Sequence, residues 1–170
     1  LEALQLARAN GCPWNAKTCA EAAMGGHLEL LKWAHANGCP RDEKELYVGA
    51  QNGHEVMVRA LIEAGSDVNR AEDTGATPLI IAAQNGHEAV VRALIEAIAD
   101  ISKAEDDGST SLSIAACRGQ EAVVRVLIEA GADIDEAIDI GATPLLISAR
   151  NGHEAVVRTL IEADIDTTED

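Results

Sequence analysis

Phenylalanine is absent from these 170 residues, and one Tyr and two Trp supply the only aromatic rings. A core without large rings must rest on Ala, Leu, Ile and Val, the small aliphatic set that suits closely stacked helices. With 47% apolar residues there is enough of that set to oppose disorder. No apolar run approaches the roughly 20 residues that span a bilayer, and no basic-plus-apolar leader is present, so the chain reads as soluble. It begins at Leu1 without Met, in what reads as the second helix of a repeat, which suggests a fragment of a longer cytoplasmic protein.

Positive charge is also scarce: 13 basic against 29 acidic residues give a net charge of −16. Residues 1–65 hold 6 basic and 8 acidic side chains, whereas residues 66–170 hold 7 and 21. Affinity for nucleic acid comes largely from Lys and Arg neutralising phosphates, so nucleic acid and anionic membranes are excluded as partners.

The motifs of catalysis and ligation are missing as well. There is no phosphate-binding glycine loop, no His-Glu-x-x-His and no nucleophile elbow. The acidic stretches Glu105-Asp106-Asp107 and Asp133-Ile134-Asp135-Glu136 lack the fixed odd positions and closing Glu of a calcium loop. The expectation is therefore no catalytic residue, no cofactor and no metal. Cys12, Cys19, Cys39 and Cys117 include no C-x-x-C pair. Disulfides, zinc ligands and buried apolar residues are the three readings open to them; recurrence of Gly11-Cys12-Pro13 as Gly38-Cys39-Pro40 favours packing, as reduced, half-buried thiols in an intracellular protein.

What is present is repetition. Asn52-Gly53-His54-Glu55, Asn85-Gly86-His87-Glu88 and Asn151-Gly152-His153-Glu154 are one phrase, with Arg118-Gly119-Gln120-Glu121 as a worn copy. Their glycines, at 53, 86, 119 and 152, step by 33 residues. A fixed period in this range marks a solenoid, in which each unit buries its apolar face only against its neighbours. Thr77-Pro78-Leu79 and Thr143-Pro144-Leu145 set a hydroxyl N-cap before a proline at the first helical position. That first helix runs to Asn85 or Asn151, where the next glycine can turn left-handed and close it. Glu88 to Glu96 then shows the apolar spacing of a second helix.

With T-P-L, A-A-x-x-G-H and the ending L-I-E-A-G-A-D-I recurring in order, residues 65–163 resemble ankyrin repeats. The first residues carry another period: Gly11, Gly38 and Gly65 lie 27 apart, and Gly11-Cys12-Pro13-Trp14 and Gly26-His27-Leu28-Glu29-Leu30-Leu31-Lys32-Trp33 resemble short ankyrin-like repeats. Alignment on Gly-His removes six residues before the first helix, so these units keep both helices and lose the finger. The expected architecture is one all-α solenoid over 1–170: a leading helix at Leu1–Asn10, two short repeats within 1–64, and three long ones within 65–170, with β-hairpin fingers in the long repeats.

Departures from the family pattern are specific. The His that usually follows T-P-L is replaced by Ile80, Ser113 and Leu146, so its hydrogen bond within the turn must be lost or replaced and those loops loosened. Ile98 stands where Gly65 and Gly131 close equivalent helices, which predicts either a different helix end or a strained β-branched residue at positive φ.

His27, His54, His87 and His153 invite a catalytic or metal reading, but the equivalent Gln120 can hydrogen-bond and cannot act as a general base. The position therefore needs polarity and shape. Trp33 precedes Ala34 where the long repeats place Ala93 before Leu94, which favours core packing; Trp14 is open between packing and a binding anchor.

The fingers carry the functional signal. Residues 65–76, 98–109 and 131–142 hold 3, 4 and 4 acidic side chains against Arg70 and Lys103 alone, and stacking should line Asp73, Asp106 and Asp139 into a column. Such charge solvates a surface or draws in a basic partner. The resemblance implies a concave partner surface made of finger tips and the exposed side of first helices. At matching positions these are Asp73, Thr74, Gln84 and Asn85, then Asp106, Asp107, Cys117 and Arg118, then Asp139, Ile140, Arg150 and Asn151. The leading expectation is a monomeric, non-catalytic module that holds another protein with a basic surface; the alternative is a substrate-recruiting or targeting fragment of a larger enzyme.

Overall fold

A computed structural model describes residues 16–168, with side chains over 18–165. The expected leading helix and the segment with Cys12 and Trp14 lie outside the described residues. Ten helices follow as five antiparallel pairs: α1 Ala16–Met24 with α2 Leu28–Ala36, α3 Glu45–Gln51 with α4 Glu55–Glu63, α5 Pro78–Asn85 with α6 Glu88–Glu96, α7 Ser111–Arg118 with α8 Glu121–Glu129, and α9 Pro144–Arg150 with α10 Glu154–Thr168. The connection between pairs spans 37–44 in the first case and 64–77, 97–110 and 130–143 in the others. The shorter repeats thus lose their residues from this connection and keep their helices.

Local chemistry sets the helix ends. Thr77, Thr110 and Thr143 accept from the amides of Ile80, Ser113 and Leu146 at 3.3, 3.3 and 3.4 Å, satisfying one orphan donor each. Gly86 and Gly119 close α5 and α7 in the left-handed conformation, at φ 75° and 72°. The second helices open on Glu55, Glu88, Glu121 and Glu154, whose charge complements the helix N-terminus. Three of these also pair one turn on, with Arg59, Arg92 and Arg125.

The first helices α1, α3, α5, α7 and α9 pack side by side in one row, and α4, α6, α8 and α10 form a second row behind them. Between the rows runs a continuous aliphatic core: Leu79, Ala82, Val90, Val91 and Leu94 recur 33 residues later as Leu112, Ala115, Val123, Val124 and Leu127, all buried. Leu145, at the position of Leu79 and Leu112, is 39% exposed. Trp33 is half-buried beside a fully buried Ala34, so it fills the place of leucine only in part.

Two expectations change, and two left open are decided. The long connections contain no β-strands among the described residues; the nearest approach is an isolated antiparallel bridge between Ala104 and Thr110. Each finger is a tight turn closed by two bonds, as in Glu105 N to Ser109 O and Gly108 N to Glu105 O. Too few rungs remain to build a ladder. The cysteine reading changes too, because Cys19 and Cys39 are bonded to one another and both are buried, while Cys117 is free and exposed. Ile98 is held at φ 61° and is 86% exposed, the strained alternative of the two foreseen. The turn bond of the missing His is replaced at one site, where Ser113 Oγ donates to Thr110 O at 3.0 Å, and at another Ile80 is buried instead.

Candidate functional site

The three fingers are tied tip to tip. The amide of Asp106 donates to Thr74 O and that of Asp139 to Asp107 O, both at 3.1 Å, so equivalent residues of successive fingers stand side by side along one edge. Asp73, Asp106, Asp107 and Asp139 are all exposed on that edge, and among the described residues none of them is ion-paired. The first finger is partly neutralised: Glu72 pairs with Lys44, and Arg70 with Glu43. The field of the second and third is left open.

Hydrogen bonds from Ser109, hydroxyl first and backbone second, hold the Asp107 carboxyl below its ordinary pKa and keep it ionised. Glu105 behaves oppositely. It is half-buried under the tip, and loss of solvation, then the charges of Asp107 and Asp106, raise its pKa.

Behind the last two fingers the chain encloses a groove of about 520 Å³, with walls from the finger (Asp107, Ile138, Ile140), from α7 (Ile114, Cys117) and from α9 (Leu146, Ile147, Arg150). Ile140 and Leu146 are 77% and 57% exposed. Apolar side chains facing water beside a rim of unpaired carboxylates form a surface suited to a ligand with both apolar and cationic groups.

Of the twelve positions foreseen from sequence, Asp107, Cys117, Ile140, Arg150 and Asn151 line this groove, and Asp139 stands on its finger. Asp73, Thr74 and Asp106 lie further along the same edge, exposed, and Arg118 is exposed at the end of α7. Gln84 is half-buried. Asn85 and Asn151 have structural partners: Asn85 Nδ2 donates to Gln51 O at 3.2 Å and to Ile81 O at 3.1 Å, and Asn151 Nδ2 donates to Cys117 O at 3.2 Å. Leu146, Ile138 and Ile114 were missed, because an aliphatic residue on a repeat pattern reads as core.

The repeated histidines have a structural task. Nε2 of His54, His87 and His153 donates to Met24 O, Gln51 O and Cys117 O at 2.9, 3.0 and 2.9 Å, in each case the preceding repeat. Gln120 Nε2 reaches Gln84 O at 3.5 Å in the same place. An amide substitutes for an imidazole because the bond requires only a donor.

One cluster of possible ligand atoms lies away from every position foreseen from sequence. Cys19, His35 and Glu45 bring a sulfur, an imidazole nitrogen and a carboxylate oxygen within 4.8 Å of one another, the first and third residues buried. His35 was missed because it stands outside the recurring glycine-histidine phrase, and its partner Glu45 reads as an ordinary charge at a helix start.

A family model of ankyrin repeats, in 3 copies, matches residues 19–105 and 98–169. Repeats of that family generally serve as protein–protein interaction modules and are typically non-catalytic. No curated relative matches the chain. Among the described residues no helix is long and apolar enough to cross a membrane.

Proposed function

The chain belongs to the ankyrin repeat family, and on that premise we propose that it is a non-catalytic module whose groove holds a basic segment of another protein. The observation that carries this reading is the adjacency of exposed Ile140 and Leu146 to the unpaired carboxylates of Asp106, Asp107 and Asp139. Apolar contact in a partly enclosed groove supplies affinity, and the acidic rim speeds the encounter with a cationic partner and fixes its register. The binding edge lies in the long repeats of 65–170, where acidic residues outnumber basic ones most; the fingerless repeats of 1–64 serve as its support. Repetition favours this use, since a solenoid offers an extended surface without a closed pocket.

Selection from a displayed peptide library tests the proposal. Peptides enriched on the chain should combine Lys or Arg with aliphatic or aromatic residues. Ile140→Asp and Leu146→Asp, both at exposed positions, should each weaken their binding at least tenfold without lowering helicity. Enrichment of acidic peptides, or binding indifferent to both substitutions, would place the partner elsewhere.

A further inference from the structure

Cys19 on α1, His35 on α2 and Glu45 at the start of α3 come from three helices of the two fingerless repeats and meet at one point. Glu45 is 2% exposed, an unusual depth for a carboxylate, and its Oε1 accepts from His35 Nε2 at 3.0 Å and from the amide of Asp42 at 2.9 Å. A histidine–carboxylate pair accounts for two of the three residues. It does not require a sulfur within 4.8 Å of both. Beside Cys19 stands a second sulfur, that of Cys39, to which it is bonded.

We propose that in the reduced chain Cys19, His35 and Glu45, with Cys39 as the fourth donor, form a zinc site that the Cys19–Cys39 disulfide closes. Two thiolates, an imidazole and a carboxylate are the borderline-soft, mixed set that Zn²⁺ takes at about 2.0–2.3 Å in tetrahedral geometry. Donors around one tetrahedral zinc at those lengths stand about 3.3–3.8 Å from one another, so the atoms of Cys19, His35 and Glu45, now within 4.8 Å, need only small shifts, while the sulfur of Cys39 parts from that of Cys19 once their bond is reduced. The chemistry balances. A dithiol reductant gives two electrons and two protons and becomes a disulfide, leaving Cys19 and Cys39 as thiols. Zn²⁺ then displaces one proton from each sulfur it binds, and neutral His35 shifts its remaining proton to Nδ1 so that the Nε2 lone pair faces the metal.

A route in exists, since a surface cavity of about 470 Å³ is lined by His35 and Cys39 together with Leu31, Lys32 and Arg41. The ion would also do structural work. The fingers of the long repeats are joined by backbone bonds, whereas residues 37–44 form no finger, so a metal joining α1, α2 and α3 would brace a region that lacks such a connection among the described residues.

The experiment uses the whole chain, reduced under argon with a water-soluble phosphine, which takes its oxygen from water and does not compete as a thiol. Zn²⁺ is titrated against a chromophoric chelator, and Co²⁺ is followed by absorption. The expected result is a single tight equivalent, a near-ultraviolet thiolate-to-cobalt band, and a higher melting temperature with Zn²⁺ only in the reduced chain. His35→Gln, which keeps a hydrogen-bond donor for Glu45, should weaken Zn²⁺ at least tenfold. Cys12→Ser and Cys117→Ser should change nothing. The proposal is overturned if the reduced chain takes up no equivalent, if uptake survives His35→Gln unaltered, if the disulfide-bonded chain binds equally well, or if the cobalt band is lost with Cys117 or Cys12.

Discussion

The imidazole of His87 lies over Gly53 of the preceding repeat, so closely that a Cβ on the glycine would meet Nδ1 at 2.7 Å. The same clasp joins Gly26 to His54, Gly86 to Gln120 and Gly119 to His153. It explains why the glycine and the polar residue recur as a pair: each glycine ends one helix at positive φ and leaves room for the ring that bonds from the next repeat.

Gly53→Ala is therefore expected to cost more than conformational strain. Gly65, at φ 86° with open space where a methyl group would stand, gives the comparison. Alanine at Gly65 should lose about 1–2 kcal/mol from the left-handed backbone alone, while at Gly53 the ring must also be displaced. Urea denaturation of the two variants separates the terms, and equal losses would show that the clasp contributes nothing.

Ile98 offers the reverse substitution. It is held at φ 61° with its side chain 86% exposed, so the residue is strained and buries little in return. Ile98→Gly should raise stability by up to about 1 kcal/mol, the relief of strain less the entropy that glycine adds to the unfolded chain. A lower denaturation midpoint would mean that the isoleucine contributes packing that outweighs its backbone cost.

How far the sequence reached is visible in these residues. The periods at Gly53 and Gly86 set helix pairs and caps, which depend on neighbours within one repeat, and left Ile98 between a different helix end and the positive φ it has. Side-by-side fingers also followed from stacking, but the bond from Asp106 to Thr74, one residue beyond the equivalent Asp73, did not. Strands in the fingers did not, since pairing depends on how many rungs a turn leaves over. Nor did the bond between Cys19 and Cys39 or the approach of His35 to Glu45, which join residues from different helices at positions outside the repeated phrase.

Ser111 stands where the other long repeats place Pro78 and Pro144, and its hydroxyl is buried without a hydrogen-bond partner among the described residues. The preceding Thr110 has φ −86° and ψ 169°, the extended geometry a proline requires before it. Ser111→Pro should stabilise by about 1 kcal/mol, removing an orphaned hydroxyl and stiffening the unfolded chain at a position whose amide lies in the first turn. Thermal melts of the two proteins decide it, and a loss would show that the α7 start cannot accept the ring.

Glu105 sets a pH dependence. Burial first, and the charges of Asp107 and Asp106 after it, raise its pKa in the folded chain. The folded state thus holds this proton more tightly than the unfolded one, so the contribution to stability is greatest below the ordinary glutamate range and is lost as pH rises through the folded value. Glu105→Gln should melt higher than the parent at pH 7, with the gap closing below about pH 4. A gap that persists at low pH would assign the effect to packing instead of charge.

Charge along the finger edge should separate binding from stability. Replacing Asp73, Asp106, Asp107 and Asp139 by Asn removes four exposed, unpaired carboxylates from neighbouring tips while keeping side chains of the same size. If a basic segment docks there, its association should slow about tenfold or more with little change in dissociation, because steering acts on the encounter. Salt should reproduce the effect on the parent, since the screening length falls from about 8 Å at physiological ionic strength to about 3 Å at 1 M. Stability should move the other way, because fewer like charges face one another across tips joined by the Asp106 and Asp139 amides. Surface-plasmon kinetics with a library-selected basic peptide at two salt concentrations, beside a thermal melt, measure both arms. An association rate indifferent to salt and to all four substitutions would shift the contact to the first-helix positions Gln84, Arg118 and Arg150, while a variant that melts lower would show that these carboxylates hold the turns together through bonds such as that from the Ser109 amide to Asp107.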